Sequence, residues 1–409
     1  LWPVDSTISG GAVVWVSLST IMVLAMMPAL AMFEAGMLRS RNSLSVLSQV
    51  FVGLVVLTTT WFVIGFSLVF GSSCGGLIGF DAGLVGFYNV SASQPSRHAE
   101  EIPMLLFALF QCMFACISGS LVTGAFAERV SLRGVAAFLL LWQLFVYVPV
   151  AHAVWNKDGF LKKKGVLDFA GGIVLHTTAG VSSLVYAYLL GPRVEFDKVL
   201  RGHRAKVRGR TMRDYRHEYL PSNLPLAASG CALLWAGWFG FNGGSAFSAS
   251  AQALLAIANT HAAGSVGGML WLAYSIWNGK PSVVATLNGA VAGLAGITPA
   301  AGYVSLQSAL GIAVVLGLLS YPAAHALKAK LRIDDALEVS VVHGLTGILG
   351  SLAIGVAADP GISGDVRKGG FALHGGTFTL FWWQLAAVSI VASYTAVVTF
   401  FIWLVLKHF

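Results

Sequence analysis

The chain reads Ile173-Val-Leu-His176-Thr-Thr-Ala-Gly180 and, further along, Ser340-Val-Val-His343-Gly-Leu-Thr-Gly347, two uncharged stretches that place a histidine in the same frame. An ionisable side chain costs a few kcal/mol or more inside a bilayer, so it persists there mainly where it lines a pathway or meets a partner. Two histidines in matched apolar settings therefore predict one shared site within a membrane.

The composition around these stretches predicts an all-α integral membrane protein. Of the 409 residues, 56% are hydrophobic and 10% are charged, and the mean hydropathy is +0.78. A helix needs about 20 apolar residues to cross a hydrocarbon core of roughly 30 Å. The sequence contains eleven such spans, which we expect at residues 11–33, 48–71, 103–127, 135–156, 169–191, 222–244, 251–277, 282–299, 303–327, 339–358 and 378–405.

The basic residues predict the orientation of these eleven transmembrane helices. Cytoplasmic loops carry an excess of Lys and Arg. With the N-terminus outside, 18 of the 25 basic residues face inward, nine of them within residues 193–216, although the lysines at 162–164 face outward. A basic inner surface against anionic lipid also explains the net charge of +8. We therefore expect the lipid bilayer, and no nucleic acid, as a partner.

The two histidines also divide the chain. His176 falls in the fifth span and His343 in the tenth, so the first ten spans form two inverted five-helix repeats, an arrangement that brings a transporter's substrate site to the midplane. The sequence predicts one membrane domain, 1–409, in which repeat one (about 11–191) and repeat two (about 222–358) flank a cytoplasmic basic loop at 193–218. A last helix follows at 378–405. The loop fits either a solvated segment against lipid headgroups or a docking surface for a cytoplasmic partner.

Chemical motifs for catalysis are missing from the sequence. It has no nucleophile-elbow frame and no phosphate-binding loop. Its four cysteines offer neither metal-ligand spacing nor a disulfide framework. We therefore expect no enzyme activity, no metal and no cofactor. Two neutral imidazoles can donate and accept hydrogen bonds, which suits a small uncharged solute or a proton relay.

Several further stretches carry a resemblance to a known family. They are Phe33-Glu-Ala-Gly-Met-Leu-Arg-Ser-Arg-Asn42, Phe110-Gln-Cys-Met-Phe-Ala-Cys-Ile117 leading to Ala127-Glu-Arg129, Ala151-His-Ala-Val-Trp155, Asp168-Phe-Ala-Gly-Gly-Ile-Val-Leu-His176, Gly237-Trp-Phe-Gly-Phe-Asn-Gly-Gly-Ser245 and Val341-Val-His343-Gly344. In order and spacing they resemble the ammonium transporter family, which comprises the Amt, Mep and Rh proteins. The resemblance runs essentially from end to end.

This resemblance implies an outer binding site for ammonium ion formed by Trp155, Ser245 and Phe114. The physics fits, because an aromatic face attracts a cation and a hydroxyl accepts one N–H. Asp168 is implied to order the adjoining loop and helix start, where its charge suits the helix dipole. Phe114 and Phe241 are implied to form a stacked gate beneath the site.

The resemblance further implies that His176 and His343 are the twin histidines of a narrow pore. An apolar pore strips water from potassium and replaces it with nothing, whereas ammonium can lose a proton and cross as ammonia. It also implies a homotrimer with one pore per subunit. We expect a multi-pass protein of the cell membrane, and specifically of a bacterial inner membrane.

Three departures from the family keep a second function open. Glu338 stands five residues before His343 where many relatives have Asp, and Thr177 and Thr178 make the pore wall more polar than usual. The sequence ends at Phe409, directly after the last span. The primary expectation is selective ammonium transport. The alternative is an ammonium sensor that signals through a cytoplasmic regulator or a fused signalling domain with little or no transport.

Overall fold

The computed structural model describes residues 5–193, 196, 221–279, 281–363 and 369–408. Within these ranges, ten helices are long and apolar enough to cross a membrane, and an eleventh apolar helix is shorter. This architecture confirms the prediction of an all-α integral membrane protein, while the side of the membrane on which the N-terminus lies stays a prediction. Following that prediction, we call the end of the bundle with Trp155 and Asp168 outer and the end with Arg39 and Glu128 inner.

Each of the eleven helices overlaps its predicted span, and most ends agree to within four residues, but the second helix begins eight residues before the predicted 48 and the fourth ends seven residues after the predicted 156. In chain order they are α1 Gly10–Met37, α2 Ser40–Phe70, α3 Met104–Phe126, α4 Leu132–Lys163, α5 Gly172–Leu190, α6 Leu224–Gly244, α7 Ala251–Trp277, α8 Val283–Ile297, α9 Leu306–Ala329, α10 Ser340–Ala357 and α11 Phe378–Leu406. A helical turn at Pro360–Ser363 lies between the last two. In α4 the helix is interrupted at Asn156, where the backbone is extended.

Two short β-hairpins cover the outer end between α2 and α3, and the sequence did not predict them. The strands are β1 Ser72–Cys74 paired with β2 Ile78–Phe80, and β3 Pro95–Ser96 paired with β4 Ala99–Pro103, both pairs antiparallel, with a 3-10 segment at Ala82–Phe87 between them. Ser73 Oγ lies 2.8 Å from His152 Nε2 in α4. This hydrogen bond holds the first hairpin against the bundle.

The helices α5 and α10 each begin with a π-helical turn, at Gly172–Thr177 and Ser340–Leu345. A π turn is wider than an α-helical turn and is frequently found at functional sites. Each of these two turns carries one histidine, His176 in the first and His343 in the second. Two further π turns lie in α2 at Trp61–Gly65 and in α4 at Gln143–Tyr147, so the correspondence between the fifth and tenth spans stays a prediction.

Glycines allow the backbones of α5 and α10 to come into direct contact. A Cβ built on Gly180 would overlap the backbone of Gly344, and one built on Gly350 would overlap the carbonyl of Gly296 in α8. Small residues at such crossings allow close packing in lipid, where van der Waals contact replaces the hydrophobic effect between helices. The contact between Gly180 and Gly344 therefore lies four residues from His176 and next to His343.

Buried ion pairs connect the loops at the inner end. Arg39 Nε donates to Glu128 Oε1 at 2.9 Å, and Arg193 donates to Glu128 at 3.2 Å and to Asp334 at 2.8 Å. Burial alone would raise the pKa of Glu128, but hydrogen bonds from Arg39 and Asn42 and the charge of Arg193 outweigh it and hold that pKa below its ordinary value. Residues from both predicted repeats are thus joined by one charge network.

The predicted basic loop at 193–218 lies outside the described residues except for Arg193 and Phe196. Arg193 is half-buried in the inner charge network. The proposed alternatives for this loop, a solvated segment or a docking surface, therefore stay predictions.

Candidate functional site

A pocket of about 320 Å³ lies at the outer end of the bundle. Its walls include Trp155, Ser245, Phe114 and Asp168, the four residues for which the sequence predicts the outer ammonium site. Trp155 comes from α4, Phe114 from α3 and Ser245 from the end of α6. The fold thus gathers these side chains from separate helices into one cavity, and their role in binding stays a prediction.

Hydrogen bonds fix the positions of Trp155 and Ser245. Trp155 Nε1 donates to the carbonyl of Asp168 at 3.0 Å, and the indole meets Phe114 edge-on with the ring centroids 6.0 Å apart. Ser245 Oγ donates to the carbonyl of Phe241 at 2.9 Å. Because the serine proton is used in this bond, its oxygen remains free to accept an N–H from a bound cation.

Phe114 and Phe241 close the bottom of the outer pocket. Their rings are stacked, with centroids 4.2 Å apart and planes inclined by 16°, and each residue is 1% exposed. Phe114 lines the outer pocket, whereas Phe241 lines a second cavity beneath it. The stacked pair therefore lies between the two cavities, in the position of the predicted gate.

The second cavity holds both histidines. His343 Nδ1 lies 3.2 Å from His176 Nδ1, so one ring must carry its proton on Nδ1 and the other on Nε2. His176 Nε2 is buried and has no hydrogen-bond partner among the described residues. The pair is thus internally bonded and still offers one polar atom, while its role in a pore remains a prediction.

The remaining walls of this cavity are apolar and leave room for one small molecule. They include Leu30, Phe33, Ile117, Leu121, Leu175 and Val291. The cavity volume is about 20 Å³, slightly more than the roughly 10–15 Å³ that one water molecule requires by the same measure. Ammonia is similar in size to water, and a hydrated ion does not fit.

Trp238 orders both imidazoles, a role the sequence reasoning missed. Its ring plane is inclined by 7° to that of His343, with the ring centroids 6.5 Å apart. The angle to the ring of His176 is 23°, and those centroids are 5.8 Å apart. Its Nε1 donates to Thr298 Oγ1 at 3.0 Å. Trp238 lies inside a motif quoted for the family resemblance, but an aromatic residue in an apolar helix also fits ordinary packing.

Asp168 caps the first turn of α5. Its carboxylate accepts four backbone N–H bonds, from Gly171 at 3.0 Å, Gly172 at 2.6 Å, Ile173 at 2.9 Å and Val174 at 3.0 Å. Burial raises the pKa of Asp168 to about 6, while the four amides favour the charged form. The carboxylate is therefore mostly charged at neutral pH, and the turn that carries His176 depends on it.

Asp335 caps the start of the turn that carries the second histidine, with fewer bonds than Asp168 makes, and the sequence reasoning missed it. It precedes His343 by eight residues, as Asp168 precedes His176. Its Oδ2 accepts from Ser340 N at 2.7 Å and from Ser340 Oγ at 2.6 Å. Burial raises the pKa of this carboxyl, and the bonds from Ser340 oppose the shift. The same eight-residue spacing from aspartate to histidine in both stretches could have identified Asp335 from the sequence.

Comparisons with known proteins agree with this geometry. The model of the Ammonium Transporter Family matches residues 14–409. Ammonium transporter 1 of Dictyostelium discoideum is 48% identical over 397 residues, which cover 97% of this chain and 81% of that protein. The crystal structure of Saccharomyces cerevisiae Mep2 superposes with a TM-score of 0.86 at 34% identity, covering 98% of this chain and 89% of that one. A structure described as a sensor Amt protein superposes with a TM-score of 0.83 at 28% identity, and the match covers 97% of this chain and 93% of that one.

These matches concern a family of membrane transporters rather than of enzymes. The relatives include eukaryotic proteins, so the bacterial inner membrane stays a prediction, whereas the multi-pass membrane character is established. With a family model and a close relative both spanning nearly the whole sequence, the chain belongs to the ammonium transporter family.

Proposed function

We propose that this chain moves ammonium across the membrane in three stages, beginning with recruitment in the outer pocket. Ammonium ion binds against the aromatic faces of Trp155 and Phe114 and donates an N–H to Ser245 Oγ. Cation–π attraction is worth about 2 kcal/mol or more once water is removed from the pair. Asp168 contributes a nearby buried negative charge and holds the indole through its carbonyl.

In the second stage, the ammonium ion gives up its proton to water in the outer pocket, and the resulting ammonia passes Phe114 and Phe241. The stacked rings offer no hydrogen bonds, so a charged solute loses its hydration there without compensation. Ammonia crosses this barrier because it is neutral. Potassium ion is similar in size to ammonium but has no proton to lose, which excludes it.

In the third stage, the paired imidazoles accept and donate hydrogen bonds to ammonia, and they provide a hydrogen-bonded route for the separated proton. The observation that carries the proposal is the His176–His343 contact of 3.2 Å at a cavity large enough for one small molecule. The family resemblance supports assembly as a homotrimer with one such pore in each subunit.

Replacing His176 and His343 together by leucine tests this assignment. We expect the transport rate to fall at least about tenfold, because one lost hydrogen bond of about 1.4 kcal/mol in the rate-limiting state corresponds to that factor. The measurement is the current and lumenal pH of proteoliposomes after ammonium pulses. The matched control is His261→Leu, since His261 in α7 is exposed on the outside of the bundle. Unchanged ammonium flux together with unchanged potassium exclusion would contradict the assignment.

Sensing is the second candidate function, and the similarity to a sensor Amt protein favours keeping it. In that case the same outer pocket binds ammonium and reports to a cytoplasmic regulator or fused signalling domain. The liposome experiment separates the two functions. Saturable ammonium binding without current or change in lumenal pH supports sensing, and flux supports transport.

A further inference from the structure

Two lysines lie in the wall of the outer pocket, although the proposed substrate of this pocket is itself a cation. Lys157 and Lys162 line the pocket together with Asp168. Lys162 opens the run of three lysines that departs from the usual excess of basic residues in cytoplasmic loops. The proposed transport mechanism uses neither lysine, so their presence in a cation-binding pocket requires a reason of its own.

The backbone on both sides of Lys162 is fixed. Phe160 N donates to the carbonyl of Gly76 in the first hairpin at 3.0 Å, and the side chain of Leu161 is fully buried. Further along, Leu167 N donates to Gln384 Oε1 at 2.9 Å. Lys162 is therefore held at the pocket by a well-packed segment, and its side chain is half-buried.

The three consecutive lysines have different surroundings. Among the described residues, the lining of the outer pocket includes Lys162 but neither Lys163 nor Lys164. Lys163 Nζ lies 3.5 Å from Asp158 Oδ1, and the lysine side chain is 61% exposed. Lys164 Nζ lies 5.2 Å from the ring centroid of Trp383. Three residues of equal charge are thus distinguished by position, and Lys163 and Lys164 provide natural controls for Lys162.

Lys157 adds a second positive charge to the pocket wall. It follows Asn156, where α4 is interrupted. Its Nζ lies 3.3 Å from Glu100 Oε1, and the two side chains are 48% and 75% exposed. Exposed ion pairs of this kind are worth about 1 kcal/mol or less. The contact with Glu100 is therefore weak and leaves the lysine charge acting on the pocket.

The charged groups that line the pocket sum to a positive charge. Lys157 and Lys162 contribute +2 and Asp168 contributes −1, which leaves +1. His98 also lines the pocket. Burial, assisted by the positive charges of Arg97 and Lys157, lowers the pKa of His98 to about 3, so this ring is neutral at physiological pH. The proposed cation site therefore lies in a pocket whose wall carries a net positive charge.

From these observations we propose that Lys157 and Lys162 set the affinity of the outer pocket for ammonium ion by opposing its charge. The proposal deepens the proposed transport function, on which it rests. Trp155, Phe114 and Ser245 attract the ion, and the two lysines offset part of that attraction. Conduction requires a site that binds its substrate well enough to fill and weakly enough to release it. The lysines shift this balance toward release.

Coulomb's law gives the direction and the size of the effect. Removing a positive charge from the wall of a pocket strengthens the binding of a cation there. Low-dielectric walls focus the field inside a cleft. A unit charge within about one Debye length, roughly 8 Å at physiological salt, changes the affinity for a cation by about threefold or more. Two such charges together should change it by about tenfold.

Isothermal titration calorimetry of the purified full chain with ammonium chloride tests this assignment. Lys157→Gln combined with Lys162→Gln is expected to lower the dissociation constant about tenfold. The matched control is Lys163→Gln combined with Lys164→Gln, which removes two charges from the same segment but not from the pocket lining. The control should stay within about twofold of the wild type, because solvent screens those exposed charges. Lys157→Arg combined with Lys162→Arg keeps both charges and should retain the wild-type constant.

Sodium chloride gives an independent readout of charge. The ratio of the wild-type dissociation constant to that of the double glutamine variant of Lys157 and Lys162 should fall toward one as salt rises. Screening causes this, since the Debye length shortens from about 10 Å at 0.1 M to about 3 Å at 1 M. A structural effect of the substitutions would not follow the salt concentration.

Three results would overturn the proposal. The first is an unchanged dissociation constant in the double glutamine variant of Lys157 and Lys162. The second is an equal decrease of that constant in the control variant of Lys163 and Lys164. The third is an equal decrease in the double arginine variant, which still carries both charges.

These outcomes are separable from failure of the transport proposal, because calorimetry reports binding and does not depend on flux. If wild-type liposomes carry no ammonium but the variants bind as expected, transport fails and the assignment of the two lysines stands. If wild-type liposomes conduct and the glutamine variant binds no more tightly, the assignment of the lysines fails and transport stands. Wild-type protein that binds no ammonium would overturn the lysine assignment together with the outer site.

Discussion

Asp168→Ala is expected to lower the free energy of unfolding by roughly 4 kcal/mol or more. The change removes the acceptor for four buried amides, and each buried donor left unpaired costs about 1–3 kcal/mol. The first turn of α5 then has no cap, and this turn positions His176. We therefore expect transport to fall together with stability.

Thermal unfolding of the purified protein in detergent measures this effect. The control is Asp81→Ala, because Asp81 is exposed and caps a turn through one bond, to Gly83 N at 2.8 Å. That substitution should lower the free energy of unfolding by about 1 kcal/mol. Equal shifts in melting temperature for the two variants would show that the four amides at Asp168 are satisfied in another way.

Gly180→Ala is expected to separate the two histidines. A Cβ at this position overlaps the backbone of Gly344, and backbone cannot rotate away as a flexible side chain does. The helices α5 and α10 must move apart, which breaks the 3.2 Å contact between His176 and His343. Overpacking of this kind costs about 1–3 kcal/mol. We expect a lower melting temperature and a loss of ammonium flux comparable to that of the double histidine variant.

Gly311→Ala is the matched control for this prediction. Gly311 lies within α9, and a Cβ there meets nothing within 4 Å. Alanine is a better helix former than glycine by about 1 kcal/mol, so this variant should be at least as stable as the wild type and should transport normally. If Gly180→Ala behaves like Gly311→Ala, the close crossing of α5 and α10 is not required for the histidine pair.

The sequence predicted the helices well because long uncharged stretches are the strongest signal in a membrane protein. The boundary within residues 281–322 illustrates this. The stretch is uncharged throughout, yet α8 ends at Ile297 and α9 begins at Leu306. Pro299 follows the end of α8 and lacks the backbone donor that a continuing helix needs. Pro299 and Gly302 in this turn therefore indicated the break between α8 and α9.

Residue-level features of the site were predicted less completely. The two histidines stood out because charge is costly in lipid. Asp335 is a buried cap in a loop with other acidic residues, and Trp238 is one of 12 tryptophans in an apolar chain. Their roles depend on which groups they face, which only the packing of separate helices decides. The short outer hairpins were missed for the same reason, since their strands have two to five residues.

The π-helical turns at Gly172–Thr177 and Ser340–Leu345 also constrain how the gene can vary. A π turn holds one residue more than the α-helical turn that could replace it. Losing one codon in either stretch would convert the π turn into an α-helical turn and change the directions of the side chains within it. His176 or His343 would then point away from its partner. We therefore expect these two stretches to keep their length over evolution.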